Sequence, residues 1–268
     1  MKFAFSTLAC PNWSTEQVVD NAVRLGYDAI ELRLLDGEVI DPVRDAEKVK
    51  QAVTLSRSRG IEVCTLDTSC RFNIRDPQER AKHLADLENW IRLSQEVQVP
   101  ILRVFGGKSD GSEDEAVSWV VESLSQIAPQ AERASAIVVL ETHDAFSSSH
   151  LVAKILQQVN SPSVAALWDS HHPYRVGESA EEVLKTLDGH IAHVHVKDAR
   201  RDPVDSSKWH LVLVGEGEVP VREQLTLLKQ NGYTGYASVE WEKRWHPEIQ
   251  EPEVALPQHI AWLKSLSL

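Results

Sequence analysis

Short apolar or β-branched runs alternate along the chain with longer stretches whose apolar residues recur every three to four positions. The short runs predict strands at Phe3–Thr7, Ala29–Arg33, Ile61–Leu66, Ile101–Phe105, Ile137–Thr142, Val164–Asp169, Ala192–Lys197 and Ala237–Trp241. The periodic stretches predict helices near 15–25, 43–59, 77–97, 112–134, 149–159, 179–188, 220–230 and 253–266. Ser14-Thr15-Glu16-Gln17 reads as a capping box at the start of the first helix. Asp41-Pro42 and Asp76-Pro77 each place an acidic cap before a proline, while Gly26 and Gly60 follow helical stretches as C-terminal caps.

Eight strand–helix units of about thirty residues each fit a closed barrel of parallel strands. The expectation is therefore an α/β fold, a single (β/α)8 TIM barrel over residues 1–268, with chemistry at the C-terminal ends of the strands. No Pro/Gly/Ser linker divides the chain, and Phe105-Gly106-Gly107-Lys108 matches neither a dinucleotide fingerprint nor a P-loop. The composition is ordinary for a globular chain, with 42% hydrophobic and 25% charged residues, which argues against extensive disorder. Lys and Arg number 28 against 40 Asp and Glu, giving a formal net charge of −12 that disfavours nucleic-acid partners. No apolar run approaches the roughly 20 residues of a membrane helix. Cys10, Cys64 and Cys70 are an odd set without zinc spacing and read as reduced thiols of a cytoplasmic protein.

The chemistry gathers at the ends of four consecutive strands. These read Leu140-Glu141-Thr142-His143, Trp168-Asp169-Ser170-His171-His172, His193-Val194-His195-Val196-Lys197 and Val239-Glu240-Trp241-Glu242. Carboxylates in such apolar strands persist only with a counter-charge. Glu141, Asp169 and Glu240, with His195 as nitrogen donor, suit one divalent ion, Mn2+, Co2+, Mg2+ or Zn2+. The absence of a thiolate argues against a closed structural zinc site.

Several neighbours are expected to assist. His172 lies three residues after Asp169, and His143 shares a strand face with Glu141. His193 is expected to lie deeper than His195, as a support. Arg103 is expected to face inward as a counter-ion, and Glu31 with Arg33 to form an internal ion pair. Arg200 and Arg201 follow the seventh strand at the rim, beside a flexible turn at Gly215-Glu216-Gly217-Glu218. Trp13, Trp168, Trp209, Trp241 and Trp245 are candidate platforms for a sugar face.

These residues resemble the xylose isomerase-like superfamily of barrels, which includes sugar and sugar-phosphate isomerases and epimerases such as D-tagatose 3-epimerase. The resemblance covers essentially the whole chain. It is carried by Tyr27 to Arg33, Asp169-x-x-His172, His193 to Asp198, Gly215 to Pro220 and Val239-Glu240. It implies a metal set of Glu141, Asp169, His195 and Glu240, a substrate contact at His172 and a substrate-gripping arginine at Arg201. The related endonuclease IV type needs further histidines and an Asp-x-His pair that this chain lacks after the seventh strand.

The favoured activity is metal-dependent isomerisation or epimerisation of a sugar or sugar phosphate. A proton beside the carbonyl would leave through an enediolate, with Glu141 and Glu240 as the acid–base pair. His172, Arg201, His143, Arg103 and Trp13 are the expected substrate contacts. One alternative is a dehydratase of a keto-polyol, of inosose or 3-dehydroshikimate type, with His143 or Lys197 protonating the leaving hydroxyl. The other is a non-catalytic sugar-binding barrel. The implied partner is a small carbohydrate, with homo-oligomers an open question.

Overall fold

A computed structural model describes residues 1–268. Eight parallel strands close into a barrel: β1 (Lys2–Ser6), β2 (Ala29–Leu32), β3 (Glu62–Arg71), β4 (Ile101–Phe105), β5 (Ile137–Glu141), β6 (Val164–Asp169), β7 (Ile191–Val196) and β8 (Tyr236–Val239). Each pairs with its sequence neighbour, and β8 closes on β1 with Lys2 opposite Tyr236. The helices that follow them are α1 (Thr15–Leu25), α2 (Ala46–Ser58), α3 (Pro77–Val97), α4 (Glu113–Arg133), α5 (Ser149–Val159), α6 (Ala180–Thr186), α7 (Val221–Gln230) and α8 (Pro252–Ser265). The expected (β/α)8 barrel is the observed fold.

The strands are buried on both faces, as parallel strands sheathed by helices must be. One continuous apolar core joins the strands' outward faces to the inner faces of the helices. Local signals work as read at several ends. Ser14 and Gln17 form a reciprocal capping box on α1, and Gly26 ends it with φ +75°. Asp76 accepts from the Gln78 N–H, with Pro77 opening α3.

The Asp41-Pro42 signal does not start a helix. The Asp41 carboxylate instead accepts from the N–H groups of Val43 and Arg44, closing a turn, and α2 begins at Ala46. β3 runs to Arg71 rather than Leu66, because a register shift after Asp67 lets Arg71 pair with Phe105. This irregularity carries the strand up to the barrel mouth. Two hairpins rise above the barrel. One pairs Leu34–Leu35 with Glu38–Val39, and the other pairs Asp198–Arg201 with Trp209–Val212. A one-turn helix, His172–Arg175, precedes α6. No helix is long and apolar enough to cross a membrane.

Candidate metal centre

Strand register sets the level of the site. Asp169 lies opposite His195, and His195 opposite Ser238, which places Glu240 two residues above. Glu141 ends β5 opposite Phe105. Ligand atoms of Glu141, Asp169, His195 and Glu240 all lie within 4.8 Å of one another, and all four residues are buried.

The charges here are dense and incompletely paired. Nδ1 of His195 is 3.3 Å from Glu141 Oε1 and 3.5 Å from Glu240 Oε2, while its Nε2 is 3.1 Å from Glu31 Oε1. Burial alone would strip the His195 proton, but Glu31, Glu240 and Glu141 hold its pKa well above the usual range. Lys197 Nζ lies 2.6 Å from Glu240, 3.3 Å from Asp169 and 2.5 Å from Glu242. Burial would raise the Glu240 pKa, yet Lys197 and His195 pull it well below the carboxylate norm. Arg103 is 1% exposed, 3.5 Å from Asp67 and 3.4 Å from Glu141. Its guanidinium carbon stands 4.0 Å from the Phe105 ring centroid. Burial and Glu31 raise the Asp67 pKa, against the pull of Arg103.

The site fits a divalent cation on two observations. Glu141 Oε2 and Asp169 Oδ2 are buried with no hydrogen-bond donor and are met only by ion-pair contacts at 3.4 and 3.3 Å. His195 directs Nδ1 toward two of the carboxylates while Glu31 takes its far nitrogen. That is how a second carboxylate orients a ligating imidazole. His193, deeper on β7, also holds Glu31 at 2.6 Å and contacts Thr65.

Three expectations change. Glu31 and Arg33 do not pair: Glu31 faces the two histidines, and Arg33 donates instead to the Asp67 carbonyl and to Ser69 Oγ. Trp13 is no sugar platform. It is buried in the core, where its Nε1 donates to Glu253 at the start of α8. The Gly215–Glu218 segment is pinned rather than loose: the Asp198 carboxylate accepts from the N–H groups of Ala199, Gly215, Gly217 and Val219.

The other expected contacts divide by position. Both ring nitrogens of His172 are buried without partners. Burial, with Lys197 and His143 nearby, depresses its pKa so that the ring is neutral. His143 packs edge-on against it at 4.4 Å and lines the mouth. Arg201 stacks over Trp209 at the rim, 4.8 Å from the ring centroid, outside the cavity wall. Trp168 and Trp241 are buried, whereas Trp245, 49% exposed, lines the mouth. The mouth is a cavity of about 890 Å³ that reaches Arg103, Glu240 and Glu242. Sequence reasoning missed Asp67 as a site residue. The signal was a carboxylate directly after the run Val63 to Leu66.

Comparison with known proteins places this geometry. Inosose dehydratases from two Clostridium perfringens strains align with the chain. One is 24% identical over 249 residues, 81% of this chain and 78% of the relative. The other is 27% identical over 174 residues, so that 59% of this chain matches about half, 55%, of the relative's length. A fructoselysine 3-epimerase from Shigella flexneri is 23% identical over 252 residues, 90% of either chain. Among solved structures, the IolI protein with a bound zinc atom superposes with a TM-score of 0.80 at 20% identity, covering 100% of this chain and 96% of its own. The family model described as xylose isomerase-like TIM barrel matches residues 19–266. A closed eight-stranded barrel with this mouth, matched over nearly its whole length, belongs to the xylose isomerase-like TIM-barrel family.

Proposed function

We propose that the protein is a divalent-metal-dependent sugar epimerase or isomerase. The observation that carries the reading is the convergence of Glu141, Asp169, His195 and Glu240 within one ion's reach. These four would hold the ion, of the Mn2+, Co2+, Mg2+ or Zn2+ class. When bound, it supplies positive charge that acidifies the C–H bond beside a substrate carbonyl.

The protein's own residues do the rest. Glu240 and Glu141, on strands three apart around the ring, face the substrate from two sides. The ionised member takes the proton from carbon and the C–H electron pair moves into the enediolate; the other, which enters the turnover protonated, returns its own proton to the opposite face, so the two exchange protonation states. Neutral His172, with both nitrogens free, hydrogen-bonds a substrate oxygen. Arg103 holds Glu141 in place through an ion pair at 3.4 Å. Phe105, His143 and Trp245 give the mouth aromatic surface against which a sugar ring packs.

A second reading, dehydration of a keto-polyol, is favoured by Lys197. Its ammonium touches Asp169 and Glu240 and would protonate a departing hydroxyl, and inosose dehydratases are among the relatives.

Deuterium exchange separates the readings. Metal-loaded protein is incubated in heavy water with a panel of ketoses, ketose phosphates and keto-polyols and followed by proton NMR. Metal-dependent exchange beside the carbonyl, abolished in Glu240→Gln, is the expected result. A vinylic product with conjugated ultraviolet absorbance would assign dehydration. Stoichiometric metal with no exchange on any compound would overturn both.

A further inference from the structure

The barrel mouth has two chemically different halves. β5 to β8 supply Glu141, Asp169, His195 and Glu240. The ends of β2, β3 and β4 supply cations: Arg33 just after β2, Arg71 closing β3, and Lys108 just after β4. All three line the same cavity.

None of the three has a carboxylate within ion-pair distance. Arg33 is the telling one. It is 9% exposed, its Nη1 is spent on the Asp67 carbonyl at 3.1 Å and Ser69 Oγ at 2.9 Å, and no carboxylate touches it directly, although Asp67, Glu240 and Glu141 act on it from farther off. Burial and the nearby Arg103 pull its pKa down to about 10. A largely buried guanidinium with no anion in direct contact leaves donors that an anion from outside the chain can meet.

Most acids on the same cavity have their direct contacts elsewhere, although Asp144 also feels Lys108. Glu79 pairs with Lys82, Asp144 with His143, and Glu240 and Glu242 with Lys197. Asp110 accepts from the Arg75 N–H. In a chain of net charge −12, this wall keeps three cations without a direct ion-pair partner.

We propose that Arg33, Arg71 and Lys108 form an anion subsite that binds the phosphate or carboxylate group of an acidic sugar, whose carbonyl end lies against Glu141, Asp169, His195 and Glu240. This rests on the proposed proton-transfer function for the carbonyl end only. Arginine suits such a role because its planar fork matches both oxyanions. The anionic group gives the large mouth a fixed register for a small substrate.

The test is calorimetric titration of the metal-loaded full chain with inorganic phosphate and, separately, with gluconate. Wild type is expected to bind at least one of them with a dissociation constant of about 1 mM or tighter. The Arg71→Gln/Lys108→Gln double variant changes only exposed side chains and should weaken binding at least about tenfold. Arg33→Gln should weaken it by at least as much. Tighter phosphate binding identifies a phosphate ester, and tighter gluconate binding a sugar acid. Undetectable binding of both anions, or affinity unchanged in the double variant, overturns the subsite. Anion binding with no exchange on any sugar would sink the proton-transfer reading and leave the subsite standing. Exchange on neutral ketoses without anion binding would do the reverse.

Discussion

Arg103→Met offers the sharpest probe of the electrostatics under the site. Arg103 is fully enclosed and sits between Asp67 and Glu141 at 3.5 and 3.4 Å. Methionine keeps much of the volume and the contact with Phe105 but removes the charge. Asp67 then loses its ion-pair partner, and Glu141 keeps only His195. Breaking a buried pair from one side costs about 3–5 kcal/mol, because the abandoned charge has neither water nor partner. In a chain of this size each kcal/mol moves the melting temperature by roughly 2–4 °C, so the expected fall is roughly 10 °C in chelator-treated protein. The loss should also depend on pH. Burial and Glu31 already raise the Asp67 pKa, and Arg103, ahead of neighbouring His195, opposes them. Without Arg103 that pKa rises further, so the folded variant keeps this proton to higher pH than the folded wild type does. The penalty should therefore shrink on going from pH 8 to pH 5.5. Differential scanning calorimetry at the two pH values reads both effects. A fall of under about 1 kcal/mol, or an equal fall at both pH values, would refute the argument that Arg103 neutralises these carboxylates.

Further expectations follow from neighbouring geometry. Gly217→Ala would put a Cβ 2.0 Å from Asp198 Oδ1 and 2.6 Å from the Ala199 carbonyl, so the variant should lose about 1–3 kcal/mol, read as a lowered melting temperature. Glu31→Gln leaves all four candidate ligands in place but loosens the far side of His195, and should weaken divalent-ion affinity about 10–100-fold by calorimetry. His259 is buried with its pKa pulled down to about 3, so the unfolded chain binds a proton below pH 6.5 that the folded chain refuses. Stability should then fall as pH drops from about 6.5 toward 3, by up to about 1.4 kcal/mol per unit from this residue. Urea titrations of His259→Leu should show a shallower acid limb, and an unchanged slope would count against this assignment.

Much of the fold could be read from periodicity, because parallel strands sheathed by helices are apolar throughout and amphipathic helices alternate with them. The four acidic or imidazole strand ends stood out for the same reason: polar residues are conspicuous where everything around them is buried. What escaped reading depended on register and distance. The irregularity that extends β3 to Arg71 has no sequence signature in Asp67-Thr68-Ser69, and the strand register that sets Asp67 opposite Arg103 is written in neither strand alone. Glu31 and Arg33 stand two residues apart in the sequence and invite pairing on paper. In the barrel the histidines of β7, across the interior, claim Glu31. The hairpin around Asp36-Gly37 did carry a signal, since both residues adopt positive φ as a tight turn of this kind requires. Gly215 and Gly217 suggested mobility. Their backbone N–H groups are instead held by Asp198, and a side chain at Gly217 would displace that carboxylate. Trp13 was misplaced because an aromatic near a strand end reads the same whether it faces the mouth or the helix layer.

The central claim is that Glu141, Asp169, His195 and Glu240 together hold one divalent ion. Titration of chelator-stripped protein with Mn2+, followed by electron paramagnetic resonance and calorimetry, tests it without reference to any substrate. The account predicts one tightly held ion per chain, lost in both Asp169→Asn and His195→Ala while each variant retains its folded circular-dichroism spectrum. Absence of binding in wild type, or undiminished binding in both folded variants, would contradict it.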